Sequence, residues 1–321
     1  MKNSQTKVLV TRKLPEPVEE RLRASYNVSL NLDDKAMSKS QLLMAISEYD
    51  ALIPTVSDLI DNTILQAPDC RLRIIANIGV GYNNIDIDTA RVMGIAVTNT
   101  PDVLTDATAD IALLLILAST RRAYAAERKL RENRWNDFSL TEGLGCSVQG
   151  KTLGIIGMGR IGQATARRAI FGLGMKVIFY NRSPVANLDF AAEQFSSIDE
   201  VMAEADVVSI HVPGGGPSPL INASHLAKLK PSAYFINTAR GNCVDQAALI
   251  EVLATGRIAG AGLDVYANEP QVPEKLRLLD NVSLLPHIGS ATMEVRTAMG
   301  MLAIDNLDAF FSGAALPSRV V

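Results

Sequence analysis

The sequence predicts an α/β protein built as two doubly wound parallel-sheet domains. Three observations carry that prediction. Short β-branched runs alternate with amphipathic stretches along most of the chain, the pattern of a parallel sheet covered by helices on both faces. A glycine-rich turn, GIIGMGRIG, lies between an apolar run and a helical pattern near mid-chain. At 321 residues the chain has the length of two ordinary domains rather than one enlarged core.

Taken in order, KVLVT reads as a strand and PEPVEERLRASY as a helix with proline near its first turn. DALIPT and LRIIANIG are further strands, separated by the helical patterns SKSQLLMAISEY and SDLIDNTILQAP. One long helical stretch is expected over residues 104–134, and its apolar run IALLLILA at 111–118 reads as a buried helix. KTLGIIGMGRIGQATARRAIFGLGMKVIFYNR opens a second α/β series, continued by DVVSIHVP, AYFINTAR, GAGLDVYA and NVSLLPHIG. A last helix is expected over residues 292–312. The one low-complexity segment is PGGGPSP at 213–219.

Composition narrows the class of partner. Hydrophobic residues at 48% and charged residues at 20% describe a well-folded soluble protein. A net charge of −3 offers no electrostatic footprint for nucleic acid. Cys70, Cys146 and Cys243 are far apart, odd in number and form no CxxC. That argues against a disulfide framework or a zinc site and points to a reducing compartment, the cytoplasm. The first residues are polar and lead into a short strand, unlike a signal peptide. IALLLILA falls well short of the ~20 apolar residues of a membrane span, so no membrane is expected.

The glycine turn supplies Gly157, Gly159 and Gly162 in the G-x-G-x-x-G pattern. It follows the strand TLGII, opens the helix RIGQATARRAIFG and reaches the strand KVIFY, the context a dinucleotide fold requires. Gly157 would permit the tight turn, Gly159 would let backbone approach a pyrophosphate, and Gly162 would let helix and strand pack closely. The helix N-terminus would then offer unpaired N–H groups and a positive dipole end to the phosphates. After the second strand, where NAD-binding proteins usually carry Asp or Glu, the chain has Asn181, Arg182 and Ser183. A carboxylate there would repel a 2′-phosphate, whereas Arg can clamp one and Ser can donate to it. NADP(H) is therefore the preferred cofactor, with NAD(H) also admitted. The alternative for Arg182 is a solvated loop charge.

Three further stretches follow the glycine loop: INTARGNCVDQAALIEVL, GAGLDVYANEP and NVSLLPHIGSAT. NIGVGYNNID precedes it. In this order and spacing they resemble the D-isomer-specific 2-hydroxyacid dehydrogenase family over most of the chain, and within it the glyoxylate/hydroxypyruvate reductases most nearly. The resemblance implies a Rossmann dinucleotide-binding domain at 100–288, inserted into a flavodoxin-like substrate-binding domain made of 1–99 plus 289–321. It implies NADPH-dependent reduction of small 2-keto acids such as glyoxylate and hydroxypyruvate to 2-hydroxy acids, by a homodimer. Arg240 would bind the substrate's carboxylate and carbonyl oxygen, Glu269 would hydrogen-bond His287, and His287 would donate the proton. Backbone N–H groups around Val80 and Gly81 would hold the carboxylate as well. Thr238, Ala239, Asp264 and Gly289 match positions that touch the nicotinamide half of the cofactor, and Arg160 and Ile161 match positions over the pyrophosphate. Pro213 ends a strand on the adenosine side. Relatives usually carry a Thr-containing loop after that proline. Here PGGGPSP stands instead, a composition that predicts a mobile loop and puts the cofactor contacts there in question.

The chemistry independently asks for these residue types. A 2-keto acid carries a permanent negative charge and a carbonyl oxygen that gains charge as hydride arrives, and a forked, always-charged guanidinium suits both. The new alkoxide needs a proton from a group that titrates near neutrality, for which histidine is the natural choice. A neighbouring carboxylate orients the ring and favours its charged form. Of the other histidines, His211 reads as strand-end packing and His225 as a surface or boundary residue. Cys243 lies near Arg240 in sequence, but the reaction needs no nucleophile. Trp135 and Phe138 either reach a partner subunit's site, as the resemblance suggests, or pack in an ordinary interface. Two other readings compete: an NAD-dependent D-2-hydroxyacid oxidation of the D-lactate type, and a non-catalytic nucleotide-sensing module. A formate dehydrogenase is disfavoured because hydride transfer from formate leaves Glu269 without a task.

Overall fold

In the computed structural model, which describes residues 3–216 and 218–321, five strands form the first sheet. They are β1 (Asn3–Val10), β2 (Tyr26–Ser29), β3 (Ala51–Ile53), β4 (Ile74–Ala76) and β5 (Ala96–Thr98), ordered β2-β1-β3-β4-β5 and parallel throughout. That is the flavodoxin-like order. β3 and β4 are buried at every position, which explains why they read as continuous apolar runs. β2 and β5 were not anticipated. Each is only three or four residues long.

A second sheet of seven strands holds β6 (Thr152–Ile156), β7 (Lys176–Tyr180), β8 (Glu193–Gln194), β9 (Val207–Ile210), β10 (Tyr234–Asn237), β11 (Gly260–Leu263) and β12 (Val282–Leu284). Its order is β12-β11-β10-β9-β6-β7-β8, again all parallel. The strand order reverses between β6 and β9, the topological switch point at whose carboxyl edge α/β proteins bind ligands. Successive residues of β10 point into different clusters, Phe235 into one and Ile236 into the other, so both faces of this sheet are covered. The expectation of two parallel-sheet α/β domains is met.

The chain divides into two compact units, Met1–Leu104 with Ser290–Val321, and Thr105–Gly289. In the first, helix Met293–Ser312 begins at Thr292, whose hydroxyl accepts from the Val295 N–H at 3.1 Å. Its Ile304 and Leu307 share a core with Leu22 of helix Glu16–Ser25 and with Ile53 and Ile74 of the sheet. Truncating any of these to alanine is expected to cost about 2–5 kcal/mol.

Two helical expectations need correction. The stretch 104–134 is not one helix: Thr105–Thr120 and Ala123–Arg131 are separated at Arg122, whose φ of 54° breaks the hydrogen-bond ladder. Its apolar run is only half buried. Leu115 and Ile116 enter the core, whereas Leu114 and Leu117 are exposed. The pattern SDLIDNTILQAP yields only the helix Asn62–Leu65, because Asp61 caps it late by accepting from the Ile64 N–H at 3.1 Å. No helix among the described residues is long and apolar enough to cross a membrane. Within the segment 213–219, Pro217 lies outside the described residues.

Candidate active site

The glycine turn leaves the carboxyl end of β6 and enters helix Arg160–Leu173 at Gly159. Gly157 has φ +99°, and a Cβ on it would lie 2.6 Å from the His211 carbonyl oxygen. A Cβ on Gly162 would lie 2.2 Å from the carbonyl oxygen of Gly157, so helix and turn meet backbone to backbone. Gly159 differs: a Cβ there would meet nothing within 4 Å. No side chain caps this helix, and the space beside Gly159 is open. Thr238, directly after β10, is buried and its hydroxyl has no partner in the protein. Open backbone at a helix N-terminus and an orphaned hydroxyl at the next strand end suit a dinucleotide's phosphates and polar head group. The residues present therefore fit the cofactor.

At the end of β7, Asn181 joins two segments. Its Oδ1 accepts from the Met158 N–H at 3.2 Å and its Nδ2 donates to the Ser183 carbonyl at 2.8 Å. Arg182 and Ser183 are exposed, as is Arg160 at the first turn of its helix, while Ile161 is half-buried. The Pro213 carbonyl faces the Cys243 thiol.

Arg240, Glu269 and His287 come from the loops that follow β10, β11 and β12, three neighbouring strands. His287 has φ +55°, an uncommon conformation for a bulky residue. It is held there by Asp264: the Asp264 carbonyl accepts from the His287 N–H at 2.8 Å. The Asp264 carboxylate accepts from the Ile288 N–H at 2.7 Å and the Gly289 N–H at 2.8 Å. Burial pushes the Asp264 carboxyl up, against those two donors and the nearby His287. The ring Nδ1 of His287 lies 2.6 Å from Oε2 of Glu269. Burial pushes the Glu269 carboxyl up, but the His287 bond, the Tyr266 N–H and the charge of Arg240 outweigh it and hold it below its ordinary range. Glu269 is thus an ionised acceptor at neutral pH, which places the proton of the pair on Nδ1 and leaves Nε2 free for a ligand. Burial draws the Arg240 guanidinium down against the charge of Glu269, and its Nη1 donates to the Ala239 carbonyl at 2.7 Å. It remains a cation at neutral pH.

In the other unit, the carbonyls of Val80 and Gly81 are held by Asn99 and Asn77, at 2.9 and 3.1 Å. Their own N–H groups engage no partner among the described residues. The two asparagines escaped the sequence reading, because a buried amide that orients a loop has no local signature. Gly241 escaped it too. A Cβ there would fall 1.9 Å from the Tyr266 carbonyl carbon, so the loop carrying Arg240 and the loop carrying Glu269 touch through backbone. Its signal, a glycine directly after Arg240, was visible in the chain but means nothing until Tyr266 is placed.

The remaining candidates stay structural. Burial takes His211 down to about 4, so it is neutral at pH 7, and its Nε2 lies 2.9 Å from the Ser209 hydroxyl. His225 Nδ1 accepts from the Asn222 N–H at 3.2 Å, closing a capping box. Cys243 is buried, and burial pushes its thiol up despite the nearby Arg240, so it is no thiolate nucleophile.

Residues 113–289 match the family described as D-isomer specific 2-hydroxyacid dehydrogenase, NAD binding domain. Over 321 residues the chain is 44% identical to a glyoxylate reductase of Thermococcus onnurineus, covering 98% of this chain and 95% of that protein. The chain belongs to the D-isomer-specific 2-hydroxyacid dehydrogenases. As a member of that family it is an NAD(P)-dependent dehydrogenase. It is also 45% identical over 322 residues to the glyoxylate reductase of Thermococcus litoralis, covering 98% of this chain and 96% of that one. Its fold is shared with an NADPH-dependent glyoxylate/hydroxypyruvate reductase from Sinorhizobium meliloti, solved in complex with NADP and malonate. There the TM-score is 0.86 and the identity 36%, covering 99% of this chain and 97% of that one.

Proposed function

We propose that this dehydrogenase reduces small 2-keto acids, glyoxylate and hydroxypyruvate, to the 2-hydroxy acids with NADPH. The observation that carries the reading is the 2.6 Å His287–Glu269 pair, beside Arg240 and at the edge where the cofactor strands end. Arg240 binds the carboxylate and the carbonyl oxygen of the substrate through its fork. Val80 and Gly81 belong to the substrate set through their free N–H groups, whose carbonyls are tied back by Asn99 and Asn77. Nicotinamide, when bound, supplies the hydride to the carbonyl carbon. His287 gives its Nε2 proton to the carbonyl oxygen as charge develops there, and Glu269 compensates the ring's charge and fixes its tautomer.

For the cofactor, Gly157, Gly159, Arg160, Ile161 and Gly162 hold the pyrophosphate, and Pro213, Thr238, Ala239, Asp264 and Gly289 flank the rest. Arg182 and Ser183, exposed after β7 and free of any carboxylate neighbour in the turn, select the 2′-phosphate. The reading is supported by the relatives named as glyoxylate reductases and by the Sinorhizobium enzyme named as NADPH-dependent.

The enzyme acts as a homodimer through the apolar residues left exposed between 114 and 140, and all three cysteines are free, as a cytoplasmic protein's would be. Steady-state oxidation of NADPH and NADH with glyoxylate and hydroxypyruvate tests the activity and the cofactor together. We expect kcat/KM to favour NADPH by roughly tenfold or more, about 1.4 kcal/mol. Arg182→Ala combined with Ser183→Ala should remove that preference and spare NADH use. No turnover with either keto acid would leave the nucleotide-sensing reading standing, and an NADH preference would favour the D-lactate type.

A further inference from the structure

We propose that Gln194 is a positioning residue for cofactor choice: it braces the turn after β7 so that Arg182 and Ser183 form a preorganised site for the 2′-phosphate of NADPH. The inference rests on the NADPH reading above and adds a residue to it. Strand β8 is only two residues long and pairs in parallel with β7, Phe179 opposite Gln194. From there one amide makes three hydrogen bonds to the turn. Its Oε1 accepts from the Val185 N–H at 3.0 Å, and its Nε2 donates to the carbonyls of Asn181 at 3.3 Å and Ser183 at 3.2 Å.

The Asn181 side chain closes the frame from the other side, bonding the Met158 N–H and the Ser183 carbonyl. The turn is thereby tied both to its neighbouring strand and to the glycine loop. With the carbonyls of Asn181 and Ser183 drawn toward these two amides, they are kept away from an incoming anion. Arg182 makes no ion pair among the described residues, whereas Arg167 pairs with Asp189, and Arg168 with Asp106 and Asp110. An unpaired cation on a braced turn is what an anion site needs, because the ordering is done before the ligand arrives. Only an amide fits the brace. It must accept one bond and donate two, which glutamate and leucine cannot do.

The test measures binding rather than turnover. Gln194→Leu, Gln194→Glu and Arg182→Ala are compared with wild type in fluorescence titrations of NADPH and NADH. Calorimetry with 2′,5′-ADP and 5′-AMP isolates the phosphate, and thermal melts report folding. Gln194→Leu should weaken NADPH and 2′,5′-ADP by about fivefold or more, the scale of one or two lost hydrogen bonds. NADH and 5′-AMP should stay within about twofold, as expected where only the bracing of the anion site is lost. Gln194→Glu, which loses both donors and brings a negative charge, should weaken the phosphate ligands further. Equal loss for both ligand pairs would make Gln194 a general support of the adenosine side and overturn the proposal. So would unchanged affinities in Gln194→Leu when Arg182→Ala does lose its preference for 2′,5′-ADP. If wild type binds 2′,5′-ADP no better than 5′-AMP and Arg182→Ala changes neither, the NADPH reading itself has failed, and the role of Gln194 falls with it.

Discussion

At His287 the backbone and the side chain are fixed by different partners. Asp264 pins the backbone in a left-handed conformation through three hydrogen bonds, and Glu269 fixes the ring through Nδ1. The division makes the two carboxylates separable by mutation. Glu269 is ionised at neutral pH because its carboxyl is held below its ordinary value. In the proposed mechanism reduction requires the imidazolium, and a neighbouring negative charge stabilises it. Glu269→Gln keeps the shape and a hydrogen bond but removes that charge. The falling limb of kcat/KM for keto-acid reduction should therefore move to lower pH, each unit corresponding to about 1.4 kcal/mol of lost preference for the charged ring. The rising limb for hydroxy-acid oxidation should move the same way. Profiles in both directions that stay in place would uncouple the two residues and return His287 to a structural role.

Among the elements, the site depends on loops after parallel neighbours more than on any helix. β10, β11 and β12 run side by side, so the loops bearing Arg240, Glu269 and His287 emerge together. Gly241 sets the spacing of the first two, because its Cα lies against the Tyr266 backbone. Backbone cannot yield as a flexible side chain can. Gly241→Ala should push the Arg240 loop away from Glu269, and a displacement near 1 Å costs roughly 100-fold in rate. We expect kcat/KM for glyoxylate to fall by about that factor while NADPH affinity, read by fluorescence titration, changes little. Kinetics close to wild type would mean that the contact is relieved by small shifts without moving Arg240. Much of this was readable in the chain, since each strand and its following motif are contiguous: TARG, NEP and PHIG are local. The contact of Gly241 with Tyr266 joins positions 25 apart and was not.

For the whole molecule, the exposed apolar side chains concentrate in one stretch of the second unit. Leu114 and Leu117 face outward from a helix whose other side is core, and Leu130, Trp135, Phe138 and Leu140 follow, all exposed. Exposed apolar side chains are costly in water, and under the homodimer proposed above this stretch would supply the interface between copies of the chain. Light scattering after size exclusion should give about twice the 34.5 kDa of one chain, and Leu117→Arg should reduce it to a monomer. A wild-type monomer would refute the dimer and leave that stretch to another partner. The alternation of strand and helix, the glycine turn, and the identity of Arg240, Glu269 and His287 were determined by the sequence alone. They are written in short-range signals: a period of two or 3.6 residues, a turn chemistry, a motif of a few positions. The tertiary structure alone decided the breaking of one expected helix at Arg122, the exposure of half its apolar run, the hold of Asp264 on His287 and the bonds of Gln194 to Asn181, Ser183 and Val185. Each of these depends on which distant groups meet, and on whether a backbone amide or an apolar face finds its partner, which no local pattern can specify.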